Sequence, residues 1–344
     1  MKRDNQLSRW ALNMAVMNDA EILNDLVETL GIGSSATADN LVLIPLLRRQ
    51  QTTNGDNAPL YLLYQQSHEM GLVAIEEVSE AGTVGQLRVH NRANQPILLV
   101  EGEVLLGMKQ TRVLNLTILV PAQMVLEVPV SCVESGRWRA VSERATGKSD
   151  VHLAPSVRAA KTVTVARSMR TARTFASDQG AVWAGVDRVL NRYGAHAPSR
   201  SYADLAGSDA SRFTRVARSV EPEPGQVGVI ACVGGKVVCV DVFDAPQVLA
   251  ALWEGLVASY QAEAMVADGK AAKPDGARRW FRSIAAGSAS VGPEIGLGAH
   301  VTVVAPDVEA AALVHEGKVL HFSAFPAHHV ATAPRFAPPA RRRS

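Results

Sequence analysis

From Asn40 onward the chain repeats one pattern, a short apolar run followed by a polar, Gly or Pro break. The runs are LVLIPLL, LYLLYQQ, LVAIEEV, QLRVH, PILLVEGEVLL, RVLNLTILV and MVLEVPVSCVE. Strands this short and closely spaced predict a β-sandwich or an open barrel. A turn is expected at Pro121 and Ala122, between the last two runs. Upstream, Trp10, Met14, Met17, Ile22, Leu26 and Leu30 recur near helical spacing. Residues 8–30 therefore predict a helix, which GIGSS ends.

The pattern changes at Arg139. ERATGKSD reads as a loop, and APSVRAAKTVTVARSMRTARTF has helix-compatible content. Ser177 is placed to cap a further helix with the stripe Val182, Val186, Val189, Leu190 and Tyr193, ended by Gly194. HAPSRSYADLAGSDASRF reads as a long surface connection. QVGVIACV, Gly-Gly and KVVCVDVF form a hairpin over residues 226–243. Asp244 then reads as a helix cap with Gln247 at the third position. A last hairpin, AALVHEGKVLHFSAF, turns at Glu316-Gly317. The tail ATAPRFAPPARRRS predicts disorder.

These elements predict an α+β protein, a β-rich sandwich or open-barrel-like lobe followed by a mixed helix-and-hairpin lobe. The expected divisions are an N-terminal helical extension over 1–37, the β-rich lobe over 38–138 and a helical and connecting region over 139–225. A hairpin-helix-hairpin lobe follows over 226–330, and a basic tail over 331–344.

Composition narrows the classes of function. The chain has 344 residues, 47% hydrophobic and 20% charged, with a net charge of +2. That balance demands neither nucleic acid nor a membrane as partner. Aromatics are 5% and do not interleave with the basic residues, which argues against nucleic-acid binding. No apolar run reaches membrane-helix length, and the N-terminus lacks the apolar core of a signal peptide. Three cysteines, Cys132, Cys232 and Cys239, make no disulfide framework. The expectation is a reducing, cytoplasmic location. A two-residue turn at Gly234-Gly235 would set Cys232 opposite Val237 and Cys239 diagonally on the same face, roughly 7–8 Å away.

The candidate chemistry concentrates in one stretch, EGEVLLGMKQTRVLNLTILVPAQMVLEVPVSCVESGRW. Glu101 and Glu103 would share a face of an extended strand, roughly 6–7 Å apart at Cα. That suits an acid/base pair or two ligands of a divalent metal. A solvated strand face is the alternative. Arg112 falls in the row of Leu114, Leu116 and Ile118 and needs an anionic partner. The partner is either a ligand carboxylate or phosphate, with Lys109, Gln110 and Asn115 beside it, or an internal glutamate. Glu134 could act as base to the Cys132 thiol, but no His lies nearby, so a buried structural Cys is expected. Arg137 and Trp138 follow a Ser-Gly turn and could hold a flat anion by charge and stacking, or plug an interface. Between Arg137 and Arg173 nine basic residues face two acidic ones, with Arg167, Arg170 and Arg173 in a row. A phosphate-bearing ligand fits that charge, and so does a solvated helix face. His315 and His321 lie on the two arms of one hairpin and supply too few ligands for a metal.

EGEVLLGMKQTRVLN followed by VPAQMVLEVPVSCVESGRW resembles the ARG and Rhodanese-Phosphatase-superfamily-associated domain family. So do SDQGAVWAGVDRVL, GVIACVGGKVVCVDVFDAPQVLAALWEGLVASYQAEA and HEGKVLHFSAF. The resemblance spans most of residues 40–326. It implies a role in NAD or ADP-ribose metabolism, through the neighbours the family is named for, and leaves the reaction open. It also implies that Glu101, Lys109, Gln110, Arg112, Cys132, Glu134, Arg137 and Trp138 form one site. The expected ligand is an anionic, ADP-ribose-like small molecule, bound or hydrolysed there. The rival reading is a structural module whose polar string is an internal ion-pair network.

Overall fold

A computed structural model describes residues 19–48, 59–79, 85–137, 139–193, 199–267, 269–271 and 274–327. Helix α1 (Asp19–Thr29) leads into β1 (Leu30–Ile32), β2 (Ala36–Ala38), β3 (Leu41–Arg48) and β4 (Leu62–Leu63). Helix α2 (Tyr64–Glu69) precedes β5 (Val73–Glu77), β6 (Gln86–Asn91), β7 (Ile97–Leu99), β8 (Val104–Gly107), β9 (Arg112–Leu114), β10 (Ile118–Val120), β11 (Val125–Cys132) and β12 (Ala145–Lys148). Three helices follow, α3 (Pro155–Ala172), α4 (Gln179–Tyr193) and α5 (Asp204–Ser219). The hairpin β13 (Gln226–Val233) and β14 (Lys236–Phe243) leads to α6 (Pro246–Val266) and α7 (Pro274–Ser283). The described chain closes with β15 (Ser288–Val291), β16 (Ala299–Ala305), β17 (Val308–His315) and β18 (Lys318–Pro326). The protein is thus α+β and rich in strands.

The strands form three sheets. The largest is antiparallel in the order β1-β3-β13-β14-β18-β17-β16-β15, with β2 alongside β3. Both its faces are covered. Leu41, Leu43, Val229 and Cys239 pack on the α6 side, while Val42, Ile44, Ile230 and Cys232 pack on the other, with Phe281 of α7. That double burial explains the near-continuous apolar run of LVLIPLL, which no alternation interrupts. Leu41–Arg48, inside the expected 38–138 lobe, thereby belongs to the sheet built by the C-terminal hairpins.

A second sheet runs β12-β8-β9-β11-β6-β5. Glu76 bridges to Arg144, next to β12, so the sheet nearly closes into a barrel. The third, β10-β7-β4, stands between the two cores. Ile97, Leu99, Ile118 and Val120 face the barrel interior, and Leu98 and Leu119 face the α6 core. Two expected strands are accordingly split. PILLVEGEVLL turns at Glu101-Gly102, where Gly102 has φ +87, and RVLNLTILV breaks between β9 and β10. A straight strand could not serve both sheets.

Helix α3 is the hub. Val157 joins one core, Ala159 another, and Val165 and Met169 the barrel interior. A helix with core on several sides shows no single stripe, which is why the sequence signal was weak.

Other expectations are corrected. In LYLLYQQ only Leu62–Leu63 is strand, because the Gln66 side chain accepts the Leu63 amide (3.1 Å) and starts α2. Part of ERATGKSD is strand β12, paired to β8 through a bulge. The supposed surface connection contains α5, with Tyr202, Leu205 and Phe213 buried. Asp178, not Ser177, caps α4 through the Ala181 amide (3.1 Å). Asp244 caps nothing and accepts the Tyr61 hydroxyl (2.5 Å). A bulge in the β13–β14 hairpin sets Cys239 opposite Ala231, so the two cysteines face opposite sides of the sheet. The two hairpin turns and the turn after Pro121 lie where expected. Residues 8–18, Trp138, Gly194 and the tail lie outside the described residues.

Candidate functional site

Two cations of α3, Arg158 and Lys161, stand three residues apart on one helix face and are both fully buried. Arg158 forks onto Asp241 of β14, with Nη1 donating to Oδ2 (3.0 Å) and Nη2 to Oδ1 (2.6 Å). Its Nε donates to Glu101 Oε2 (2.9 Å). Lys161 Nζ lies 2.6 Å from Glu101 Oε1 and donates to the Leu114 and Asn115 carbonyls (3.0 and 2.9 Å). Tyr260 of α6 adds a hydroxyl to Asp241 Oδ2 (2.6 Å). Two cations and two anions thus neutralise one another and tie the Glu101 turn, α3, the large sheet and α6 together.

Burial alone would raise both carboxyl pKa values. Arg158 outweighs it at Asp241, and Arg158 with Lys161 outweighs it at Glu101, so both sit below the usual range. Burial lowers the Lys161 pKa, against the pull of Glu101. His152 is buried beside this network and held neutral by burial, then by Lys148 and Arg158.

A small, partly open pocket of about 30 Å³ lies between α3 and the β16–β18 face of the large sheet, against the Glu101 turn. Glu101, Thr117 and His321 line it together with Thr162, Met169 and His300. His321 is fixed from three directions. Thr117 Oγ1 is 2.6 Å from Nδ1, Asp241 Oδ1 is 3.4 Å from Nε2, and Phe243 stacks on the ring at 4.7 Å. The Glu101 amide donates to Thr117 Oγ1 (2.9 Å). Among the described residues lining the pocket there is no Lys or Arg.

A second polar cluster lies at the end of the barrel. Glu134 accepts Arg137 at both oxygens, Nε at 2.7 Å and Nη2 at 2.6 Å, together with the Thr111 amide (2.8 Å) and hydroxyl (3.0 Å). Arg137 Nη1 donates to the Met108 and Arg139 carbonyls. Burial would raise the Glu134 pKa, but Arg137 and Thr111 hold it below the usual range. Arg112 meets Gln110 Oε1 (2.8 Å), Cys132 Sγ (2.5 Å) and Glu77 (3.5 Å). Burial pushes the Cys132 thiol up to about 11, against the pull of Arg112. Gln179 of α4 clamps the Cys132 backbone at both N and O.

The expected single site therefore divides. Gln110, Arg112, Cys132, Glu134 and Arg137 do come together, with the Lys109 amide on Glu77 (3.3 Å). Glu101 belongs to the central network. Glu103 does not share a strand face with it, because the chain turns at Gly102. Its Oε2 accepts the Val100 amide (2.9 Å) and its Oε1 meets Lys148 (3.2 Å). Asn115 lines the pocket while bonding Ser131 and Phe175. No described cluster of His, Cys, Asp and Glu could hold a metal ion. Arg137 does not project freely but folds back on Glu134.

Sequence reading missed Arg158, Lys161, Thr117, Asp241 and Tyr260 as partners. A signal existed: Asp241 is the one charge within VVCVDVF, a run buried on both faces, and such a charge requires a cation.

No curated protein and no solved structure matches the chain. A family model does match, over residues 29–325. The barrel strands, α3 and the hairpins that frame the pocket all fall in that span, and the chain belongs to the ARG and Rhodanese-Phosphatase-superfamily-associated Protein domain (ARPP-1) family.

Proposed function

We propose that this protein is a small-molecule-binding domain whose ligand occupies the pocket between α3 and the β16–β18 face. The buried ion pairs serve as its rigid floor. The observation that carries this reading is a partly open pocket, with hydroxyls, imidazoles and a carboxylate in its wall, set against a network that is already charge-balanced. Glu101, Glu103 and Glu134 are each closed by a cation, which argues against the acid/base or metal roles first expected of them. The wall offers a carboxylate, hydroxyls and imidazoles but no cation, so it favours an uncharged, hydrogen-bonding compound over a phosphate. A connection to NAD or ADP-ribose rests on the family name and enters as an arm of the test.

The test is a thermal-shift screen of uncharged compounds such as nicotinamide, ribose and adenosine beside NAD and ADP-ribose, with and without Mg²⁺ or Mn²⁺. Ala311 lines the pocket, and Ala311→Phe fills it. Uncharged compounds are expected to raise Tm, and Ala311→Phe to abolish the shift. Stabilisation by NAD or ADP-ribose that survives Ala311→Phe would place the ligand elsewhere. No shift from any compound would leave the polar clusters as structural ion pairs.

A further inference from the structure

Thr117, His321 and Asp241 have no role in the binding reading beyond lining and bracing the pocket. Their geometry is that of a nucleophile, a base and an orienting carboxylate. Thr117 Oγ1 lies 2.6 Å from His321 Nδ1, and the other ring nitrogen points to Asp241 at 3.4 Å. Asp241 is itself immobilised by Arg158 and Tyr260, and Phe243 holds the imidazole plane. Both Thr117 and His321 line the pocket. A nucleophile within hydrogen-bond reach of a base, with the base set by a third group, is the recurring arrangement of covalent catalysis.

We propose that Thr117 is a nucleophile activated by His321, and that the pocket accepts small uncharged esters or activated acyl compounds. The proposal rests on the binding reading and adds a chemical step to it. In that step Thr117 Oγ bonds to the acyl carbon, and the bond from that carbon to the leaving oxygen breaks. The Thr117 proton passes to His321 Nδ1 and from there to the leaving alcohol. Water, deprotonated at the same nitrogen, then attacks the acyl-threonine, releases the carboxylic acid and restores the hydroxyl. Thr162 and Ser323 line the same pocket, and in this proposal their hydroxyls serve the developing oxyanion. The absence of a pocket cation suits an uncharged substrate. A purely structural relay would hold the same distances and perform none of this.

The experiment uses p-nitrophenyl acetate on the full chain, with p-nitrophenol release followed in time and the adduct located by peptide mapping. The expected result is an early burst of p-nitrophenol and an acetyl group on Thr117. Thr117→Ser should retain the adduct at residue 117. His321→Gln should slow acetylation at Thr117 by about 100-fold or more, the range lost with a general base. Thr117→Val should abolish it. If Thr117→Val fails to fold, mapping of the wild-type chain and His321→Gln decides alone. Acetylation confined to lysines, or a Thr117 rate unchanged in His321→Gln, overturns the proposal. Uncharged ligands that raise Tm without any Thr117 adduct would leave the binding reading standing and remove this one.

Discussion

The two polar clusters use the same residue types to different ends. At the barrel end, Glu134 meets Arg137 three residues away, and the Arg137 side chain keeps 15% of its exposure. In the centre, Arg158 meets Glu101 from 57 residues away and Asp241 from 83, and its side chain keeps none. The first pair closes one loop onto Thr111 and Met108 at the barrel rim. The second ties together the Glu101 turn, α3, the large sheet and α6, which also share a hydrophobic core. The difference teaches that a charged pair near in sequence can be lost locally, whereas one spanning the fold is felt by the whole molecule.

The largest expected effect follows from that contrast. Arg158→Met leaves Asp241 and Glu101 buried without their main cation, and should cost about 3–5 kcal/mol. Urea unfolding measures it. The double variant Arg158→Met with Asp241→Leu should recover part of the loss, because a buried pair removed together is cheaper than one half removed. A single-variant cost under about 1 kcal/mol would contradict the central role of the network.

Acid should discriminate the clusters next. Glu101, Asp241 and Glu134 all have folded-state pKa values below their ordinary ones, 4.5 for Glu and 3.8 for Asp. A depressed folded pKa means the unfolded chain takes up protons first. The stability these groups contribute is complete above the ordinary values and is lost as pH falls towards the folded ones. Melting temperature should therefore drop steeply below about pH 4, after a shallower decline that begins near the ordinary histidine value of 6.5, because burial keeps His152 and His300 neutral in the folded chain while the unfolded chain protonates them. Arg137→Ala should flatten the part due to Glu134 and leave the steeper central part. A profile unchanged between pH 5 and 3 would contradict the assignment of all three.

Legibility in the sequence followed the same division. The hairpins, the strand-rich first half and the helical content of α3 were readable because each rests on local periodicity and turn residues. Part of the barrel-end cluster was readable because Cys132 and Glu134 share one strand face and Arg137 follows in the same string, while the grouping with Gln110 and Arg112 came only from the family resemblance. The central network was not. Arg158 and Lys161 sit among Ala, Val and Thr in a helix with no stripe, and Asp241 is a long way off in the chain. The reading also carried strands through Glu101-Gly102 and through Asn115 to Thr117, the breaks that bring Glu101 and Thr117 into the pocket wall. Those breaks exist because two cores compete for one segment, and no local pattern reports that.

Arg137→Ala should come third. Its guanidinium makes four charge-assisted contacts, so the variant should lose about 1.5–3 kcal/mol, more than a free strand-end arginine would. Chemical unfolding checks this. A cost equal to that of Arg158→Met would erase the contrast between the clusters.

The smallest effect is kinetic and uses the cysteines as reporters. Cys132 belongs to the barrel-end cluster, and Cys239 lies beside Asp241, with Sγ 3.8 Å from Oδ2. Both are fully buried, and burial raises both thiol pKa values, Cys132 to about 11 and Cys239 well above its ordinary value. Neither should react with a thiol reagent in the folded protein, because the thiolate is scarce and covered. In mild urea the two should separate. The barrel end keeps some solvent exposure at Arg137 and can open while the large sheet stays closed on α6, whereas exposing Cys239 requires parting the large sheet from α6. Cys132 should therefore be labelled first, and Arg137→Ala should speed its labelling while leaving the Cys239 rate almost unchanged. Peptide mapping at timed intervals reads both sites in one sample. Labelling of Cys239 ahead of Cys132, or of the two together, would mean that the clusters open as one unit.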